Sequence, residues 1–230
     1  MSVIFIVILL AALLAGLVYP SLIAPQLGKP VGKKGLTTGF LFMLLAGIAV
    51  RVAAAGMYPG HETDMNCFYA WADSIYNNGF AAFYASEGFT DYPPGYMYML
   101  YVLGFIQNVF HLQRETAYIV LKLPAILCDA ATAYLVYKVA RRHVNESVSF
   151  MLSSFYLFNP AVLTDSALWG QVDSVFTLFL VLMVLLVTEK KMIPAYFAFA
   201  LAVFIKPQAF MFTPILIFGI VEHVFLNDYS

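Results

Sequence analysis

Residues 61–95 read HETDMNCFYAWADSIYNNGFAAFYASEGFTDYPPG, a polar and aromatic insert between two apolar runs. Acidic side chains beside lipid are costly unless they face water, a partner or a substrate. We therefore expect this insert to lie outside a bilayer and to carry residues that act on a ligand. Its acids are Glu62, Asp64, Asp73, Glu87 and Asp91.

The composition predicts an integral membrane protein. Hydrophobic residues make up 62% of the 230 positions and charged residues only 11%, whereas soluble domains are about a quarter charged. The formal net charge of -1, without Lys- or Arg-rich blocks, argues against a nucleic-acid partner. Cys67 and Cys128 lie far apart without metal-ligand spacing, so neither a zinc site nor a disulfide framework is predicted.

Apolar runs separated by charged or proline-containing segments predict an all-α fold. We expect a single membrane domain over residues 1–230, a polytopic bundle of about seven transmembrane helices. Lysines and arginines favour the cytoplasmic side of the membrane, which makes the chain multi-pass with the polar insert on the extracytoplasmic side. The predicted spans are residues 3–19, 36–58, 116–139, 147–163, 172–187, 192–205 and 209–226.

The run 95–110 is the main ambiguity in this topology. If it crossed the bilayer, the basic cluster Lys138, Arg141 and Arg142 would lie on the outer side, against the positive-inside rule. We therefore expect an interfacial helix within one large outer loop, residues 58–115. Tyrosines along it would keep their hydroxyls wet and their rings buried.

The polar insert contains two candidate functional groups. Asp64 follows the second predicted span, where partial desolvation would suit it to accept a proton, although a solvated loop acid is the simpler reading. Asp91 and Tyr92 precede Pro93 and Pro94, which stiffen the chain before the next helix. This second feature also reads as a plain helix start.

Two later segments add candidates on the predicted outer side. Residues 159–173, NPAVLTDSALWGQVD, are expected as an outer turn in which Gln171 and Asp173 require polar partners. Trp169 in this turn is either an interfacial belt residue or a ligand contact. Lys206, beside Pro207, either snorkels to the surface or binds a phosphate.

Charged residues also occur inside the predicted spans. Lys122 and Asp129 share one face of a span, and a structural polar contact with a neighbouring helix is the leading interpretation. Arg51 either pairs with such an acid or helps to bind a lipid phosphate. The sequence does not choose between these two roles.

Several segments, taken in order, resemble the GT-C superfamily of polytopic glycosyltransferases. The resemblance is greatest to prokaryotic proteins related to the GPI-anchor second mannosyltransferase, and DYPP is also similar to the dolichyl-phosphate-glucose transferases. After Asp64, the resembling segments are FYAWAD, NNGFAAFY, DYPPGYMYML, LKLPAILCD, NPAVLTDSALWGQVDS and IKPQA.

The resemblance implies a mannosyltransferase-like enzyme that moves a sugar from a polyprenyl-phosphate donor to an acceptor hydroxyl with inversion. The acceptor would be a glycan, a lipid or a protein. Asp64 would be the catalytic base and Lys206 would contact the lipid phosphate, and no cofactor or metal is expected. The substrate-binding residues expected are Arg51, Asp91, Tyr92, Trp169, Gln171, Asp173 and Lys206.

Further helices common in the resembled family are expected to be absent from this chain. The alternative is therefore a non-catalytic or subunit-dependent membrane module that binds a lipid-linked sugar and assembles with a membrane partner. A transporter or flippase, with Lys122 and Asp129 lining its path, is a third reading. It is disfavoured because the polar residues concentrate at one surface.

Overall fold

The computed structural model describes residues 33–86 and 89–222. This part of the chain is built of helices joined by short connections, which confirms the all-α class. The helices are α1 (Lys33–Met57), α2 (Glu62–Ala85), α3 (Pro94–Val109), α4 (Arg114–Ala140), α5 (Glu146–Leu157), α6 (Pro160–Leu163), α7 (Asp173–Thr188), α8 (Met192–Ile205) and α9 (Thr213–Val221), with a π-helical turn at Thr164–Trp169 and a 3-10 turn at Pro207–Phe212.

Two helical segments are long and apolar enough to cross a membrane, Thr38–Met57 and Arg114–Ala140. A third candidate is α5 together with Pro160–Trp169, a pair bent by 41°. The helices after Asp173 are apolar but shorter. The described residues therefore contain two or three candidate spans, and a bundle of seven is not confirmed. The predicted span 3–19 lies outside the described residues.

The predicted span 147–163 contains a helix break at Asn159, and it is a candidate span only as part of the bent pair. Pro160 has no backbone N–H, and its ring opposes continuation of the preceding helix. The Asn159 side chain accepts a hydrogen bond from the Ala161 backbone N at 2.8 Å and starts α6. Most of the segment 159–173, expected as a turn, is consequently helical.

The predicted outer loop, residues 58–115, contains two helices. The helix expected over 95–110 is α3, whereas its place at a membrane interface stays a prediction. The preceding helix, α2, is interrupted at Gly79, whose φ of 78° and ψ of 166° are not helical. A residue with a Cβ is strained in that conformation, so glycine permits the break.

The described residues fall into two compact units, which we describe separately. The first unit comprises residues 33–61 and 122–174. Its core contains a stacked pair, Phe40 and Tyr137, with ring centroids 3.9 Å apart. Phe150 meets Phe40 edge-on at 6.2 Å. These rings pack α1 against α4 and α5.

The second unit comprises residues 62–86, 89–121 and 175–222. Its first part is a helical hairpin, in which Gly104 of α3 lies directly against the carbonyl oxygen of Ala72 on α2. Glycine is required there, because a Cβ would overlap that oxygen. Small residues on α8, Ala195, Ala198 and Ala202, pack in a separate apolar cluster with α7 and α9. The single-domain organisation stays a prediction.

Candidate functional site

A buried ion pair joins α1 to α4. Arg51 Nε donates to Asp129 Oδ2 at 3.0 Å, and both side chains are fully buried. Removing one partner from a buried pair is strongly destabilising, because the other charge is left uncompensated. Two roles were predicted for Arg51, and the structure shows the first, pairing with an acid. Its role in substrate binding stays a prediction.

The Asp129 carboxylate also binds the π-helical turn. Ser166 Oγ donates to Asp129 Oδ2 at 2.6 Å, and the Tyr156 hydroxyl lies 3.5 Å from Oδ1. The carboxylate thereby holds residues of α1, α5 and the turn around one point on α4. Ser166 was not among the predicted site residues, since a single serine in an apolar segment is a weak signal.

Lys122, also on α4, binds the end of α1. Its side chain is fully buried, and Nζ donates to the carbonyl oxygen of Tyr58 at 2.7 Å. Tyr58 directly follows α1, where carbonyl groups without helical partners and the negative end of the helix dipole favour a cation. The predicted structural contacts of Lys122 and Asp129 with neighbouring helices are thus confirmed.

Trp169 ends the π-helical turn and packs on His61. The two ring centroids are 5.2 Å apart with an interplanar angle of 23°, and the His61 backbone N donates to the Trp169 carbonyl oxygen at 2.8 Å. Trp169 nevertheless remains 46% exposed. Its accessible ring surface is therefore held in a defined orientation, and a role in ligand binding stays a prediction.

The charges of Asp64 and Asp91 both act on the Cys67 thiol. Burial raises the pKa of Cys67, and the negative charges of Asp64 and then Asp91 raise it further. The thiol therefore stays protonated at neutral pH and is a weak nucleophile.

Tyr92 and Lys206, distant in sequence, meet in the second unit. Lys206 Nζ lies 5.7 Å from the ring centroid of Tyr92 and 6.0 Å from that of Phe176. A cation at this distance is attracted by the negative face of an aromatic ring. The extended backbone of Lys206, between α8 and Pro207, ends the helix and sets the side chain there.

An aromatic group surrounds the Tyr92 ring. Phe68 meets it edge-on with centroids 5.5 Å apart, while Trp71 and Tyr96 lie at 6.0 Å and 5.4 Å. Trp71 is itself fixed, because its Nε1 donates to the carbonyl oxygen of Phe89 at 3.1 Å. Tyr92 is consequently a well-supported surface, only half-buried, beside a lysine.

The predicted site residues are divided between the two units. Asp64, Asp91, Tyr92 and Lys206 belong to the second unit, and Arg51, Trp169, Gln171 and Asp173 belong to the first. The Gln171 backbone N donates to the Asp165 carbonyl oxygen at 3.0 Å, and Asp173 begins α7. Among the described residues, no three His, Cys, Asp or Glu side chains come together as metal ligands would.

Comparison with models of protein families gives a match over most of the chain. A family model described as "GPI transamidase subunit PIG-U" matches residues 68–228. A search of curated proteins and a search of solved structures each found no match. The matched segment begins after Asp64 and includes Tyr92, Asp129 and Lys206.

This match corrects the expected activity. A transamidase exchanges amide bonds and does not transfer sugars, and the family is described as one of its subunits. The expectation that this chain is a mannosyltransferase-like enzyme is therefore wrong. The coarser likeness to a membrane family related to GPI anchors is shown, whereas membership of the GT-C superfamily is not directly shown. The match favours the alternative, a subunit-dependent membrane module.

Proposed function

Because the chain belongs to the family of the GPI transamidase subunit PIG-U, we propose that it is a non-catalytic membrane subunit of a transamidase-type complex. The observation that carries this proposal is the extent of the match, residues 68–228. It runs from α2 through α9, so it includes most of both units. We place the polar insert on the extracytoplasmic side of a multi-pass chain.

The chemistry of the described residues supports a non-catalytic role. Transamidation through a covalent intermediate requires an activated nucleophile, such as a thiol of lowered pKa. The pKa of Cys67 is raised instead, by burial and by the charges of Asp64 and Asp91. Cys128 lies within the candidate span Arg114–Ala140. We infer that another subunit supplies the nucleophile.

The buried charges support a structural role. Arg51 and Ser166 both donate to the Asp129 carboxylate and thereby hold helices together, and Lys122 binds a backbone carbonyl. None of these contacts requires a reacting substrate. The polar groups inside the candidate spans therefore serve the assembly of this subunit.

For the ligand, we propose a lipid-linked glycan that carries a phosphate, as a glycosylphosphatidylinositol does. Lys206 would provide the positive charge for the phosphate, and the supported face of Tyr92 would contact the lipid or the glycan. Asp91, in the same unit as Tyr92 and Lys206, is proposed as a further contact. Trp169, Gln171 and Asp173 belong to the first unit and are proposed separately as ligand contacts of that unit. Their exposed or half-exposed positions are compatible with that role.

The proposed membership of a transamidase-type complex is tested by measuring amide exchange in native membranes. The assay follows a transamidase reporter protein whose acyl group is transferred to hydrazine. We expect membranes that lack this chain to lose this conversion, and we expect added full-length chain to restore it. The purified chain alone should convert no reporter. Conversion by the chain alone, or undiminished conversion in membranes that lack it, would refute the proposal.

A cysteine variant tests the non-catalytic role within the complex. Cys67→Ser should restore conversion as well as the wild-type chain does, because its thiol is not the nucleophile. Cys128→Ser is the matched variant for the second cysteine. Loss of conversion by Cys67→Ser, at unchanged protein level, would identify this chain as the catalytic subunit.

A further inference from the structure

A second polar cluster, built from residues other than Tyr92 and Lys206, lies on the described surface. It consists of Arg114, Asn66, Tyr118 and Tyr69, which we call the Arg114 clamp. Arg114 Nη2 donates to Asn66 Oδ1 at 2.5 Å, and Nε donates to the Tyr118 hydroxyl oxygen at 2.9 Å. The Tyr118 hydroxyl in turn donates to Asn66 Oδ1 at 2.6 Å. The cluster is a closed ring of hydrogen bonds.

Two aromatic rings complete the clamp. Arg114 Cζ lies 5.3 Å from the Tyr69 ring centroid and 5.6 Å from that of Tyr118. The two tyrosine rings meet edge-on, with centroids 6.0 Å apart. A long arginine side chain normally loses rotamer freedom when it binds a ligand. Because these contacts already orient Arg114, that cost is reduced.

The guanidinium is fixed, but its charge is not neutralised. All the groups that bind it are neutral, and no carboxylate among the described residues forms an ion pair with it. Arg114 is exposed, and none of the hydrogen bonds described for the clamp uses Nη1. An oriented guanidinium whose Nη1 is not used in these hydrogen bonds can donate to the oxygens of a phosphate.

The location of the clamp points to a phosphate at a membrane surface. Arg114 is the first residue of the candidate span Arg114–Ala140, and the ends of spans lie at the level of lipid headgroups. The N-terminal end of a helix also favours an anion. A tyrosine on each side of the guanidinium suits this amphipathic region.

We propose that the Arg114 clamp binds a phosphate group at the membrane surface. The phosphate belongs to a lipid headgroup or is inorganic phosphate, and the two sources are separable by experiment. This site differs from the Lys206 site proposed above, and it does not depend on membership of a transamidase complex.

The test measures lipid binding to the full-length protein in a non-ionic detergent by native mass spectrometry. We expect phosphatidylglycerol to bind more tightly than phosphatidylcholine, and Arg114→Gln to weaken phosphatidylglycerol binding by about tenfold, as expected for loss of one charge-assisted contact. Unchanged binding by Arg114→Gln would refute the proposal. If inorganic phosphate displaces the lipid at millimolar concentration, the site accepts free phosphate as well.

Arg141→Gln is the matched control. Arg141 is also exposed and also lies 5.4 Å from a tyrosine ring, that of Tyr137, but its Nη2 is 3.2 Å from a Glu146 carboxylate oxygen. Because this charge already has a partner, we expect no change in lipid binding. An equal loss in both arginine variants would show general surface charge and would refute a specific site.

Asn66→Asp separates binding from folding. The change keeps the shape of the side chain and gives Arg114 a carboxylate partner, so a purely structural clamp would be retained or strengthened. In a phosphate site, the new carboxylate would instead neutralise the positive charge of Arg114 and weaken phosphate binding. We expect unchanged or higher thermal stability with phosphatidylglycerol binding about tenfold weaker. Full lipid binding by a stable Asn66→Asp protein would contradict the proposal.

Discussion

The guanidinium of Arg51 and the carboxylate of Asp129 lie 3.0 Å apart, and neither side chain is exposed. Asp129→Asn keeps the size of the side chain but leaves Arg51 without a buried counter-charge. We expect the free energy of unfolding to fall by about 3–5 kcal/mol. The measurement is thermal or chemical unfolding of the protein in detergent. Unfolding is monitored as the loss of the monodisperse peak in size-exclusion chromatography.

The double variant Arg51→Met, Asp129→Leu distinguishes pairing from simple loss of polar groups. Arg51 Nη2 is buried without a hydrogen-bond partner among the described residues, so the wild-type pair is not fully satisfied. We therefore expect the double variant to be more stable than Asp129→Asn. If the effects of single substitutions at the two positions simply add, the two side chains do not interact.

Ser166 provides a second prediction, because it connects the π-helical turn to Asp129. Ser166→Ala removes the 2.6 Å hydrogen bond and should lower the free energy of unfolding by about 1–2 kcal/mol. Ser149→Ala is the control, because Ser149 is equally buried and donates to the Asn145 carbonyl four residues earlier, the same local contact that Ser166 makes with Val162. Ser149→Ala should lower the free energy of unfolding by less than Ser166→Ala does.

The same substitution should loosen the turn around Trp169. The chain contains two tryptophans, so Trp71→Phe leaves Trp169 as the only one. In that background, Ser166→Ala should shift the tryptophan emission to longer wavelength, since the indole becomes more hydrated. Ser149→Ala should not. An unshifted spectrum with Ser166→Ala would show that the turn does not depend on this hydrogen bond.

The sequence predicted the all-helical class and part of the polar network. Lys122 and Asp129 share a face of one apolar segment, so their structural contacts could be inferred from spacing alone. The partners could not, because the sequence does not show that Arg51 or Ser166 approaches Asp129. The break at Asn159 has a local sequence signal, Asn159-Pro160, although the hydropathy of the segment alone predicts a continuous span.

In the second unit, too, the sequence does not show which residues distant along the chain come into contact. Asn66 and Arg114 are 48 positions apart, and neither belongs to a recognisable motif. Tyr92 and Lys206 were predicted as site residues, but their proximity depends on how α3 packs with α8. The expected activity is wrong because a resemblance in short segments does not distinguish an enzyme from a family described as a subunit.

Cys67 provides a third prediction, on pH dependence. Its pKa is raised by burial, by Asp64 and by Asp91, so its thiolate should form at a higher pH than that of an ordinary cysteine. In a Cys128→Ser background, Cys67 is the only cysteine. We expect the pH midpoint of alkylation by iodoacetamide to lie above the usual value of about 8.5.

Asparagine variants test the causes of that shift. Asp64→Asn and Asp91→Asn each remove a negative charge, which lowers the pKa and increases the thiolate fraction at a given pH. The alkylation rate at neutral pH should therefore rise in both variants, and more with Asp64→Asn. Asp73→Asn, on the same helix, is the control. Equal rates in all variants would place the carboxylates away from the thiol.

Lys206 provides a fourth prediction, on ligand binding. Lys206→Met removes the charge beside Tyr92 while keeping a long apolar side chain. We expect photo-crosslinking to a lipid-linked glycan phosphate to fall by about tenfold, the size of one charge-assisted contact. Lys206→Arg should retain most of it. Equal crosslinking in Lys206→Met and wild type would remove Lys206 from the binding site.

The close contact between α2 and α3 provides the last prediction. A Cβ at Gly104 would overlap the carbonyl oxygen of Ala72, and backbone cannot move aside as a flexible side chain can. Gly104→Ala should lower the free energy of unfolding by about 1–3 kcal/mol, the usual cost of overpacking. Gly39→Ala is the matched control, because a Cβ there meets nothing within 4 Å. It should be neutral or stabilising by up to about 1 kcal/mol, since alanine favours a helix. Equal stability of the two variants would show that the hairpin is more loosely packed than the structure indicates.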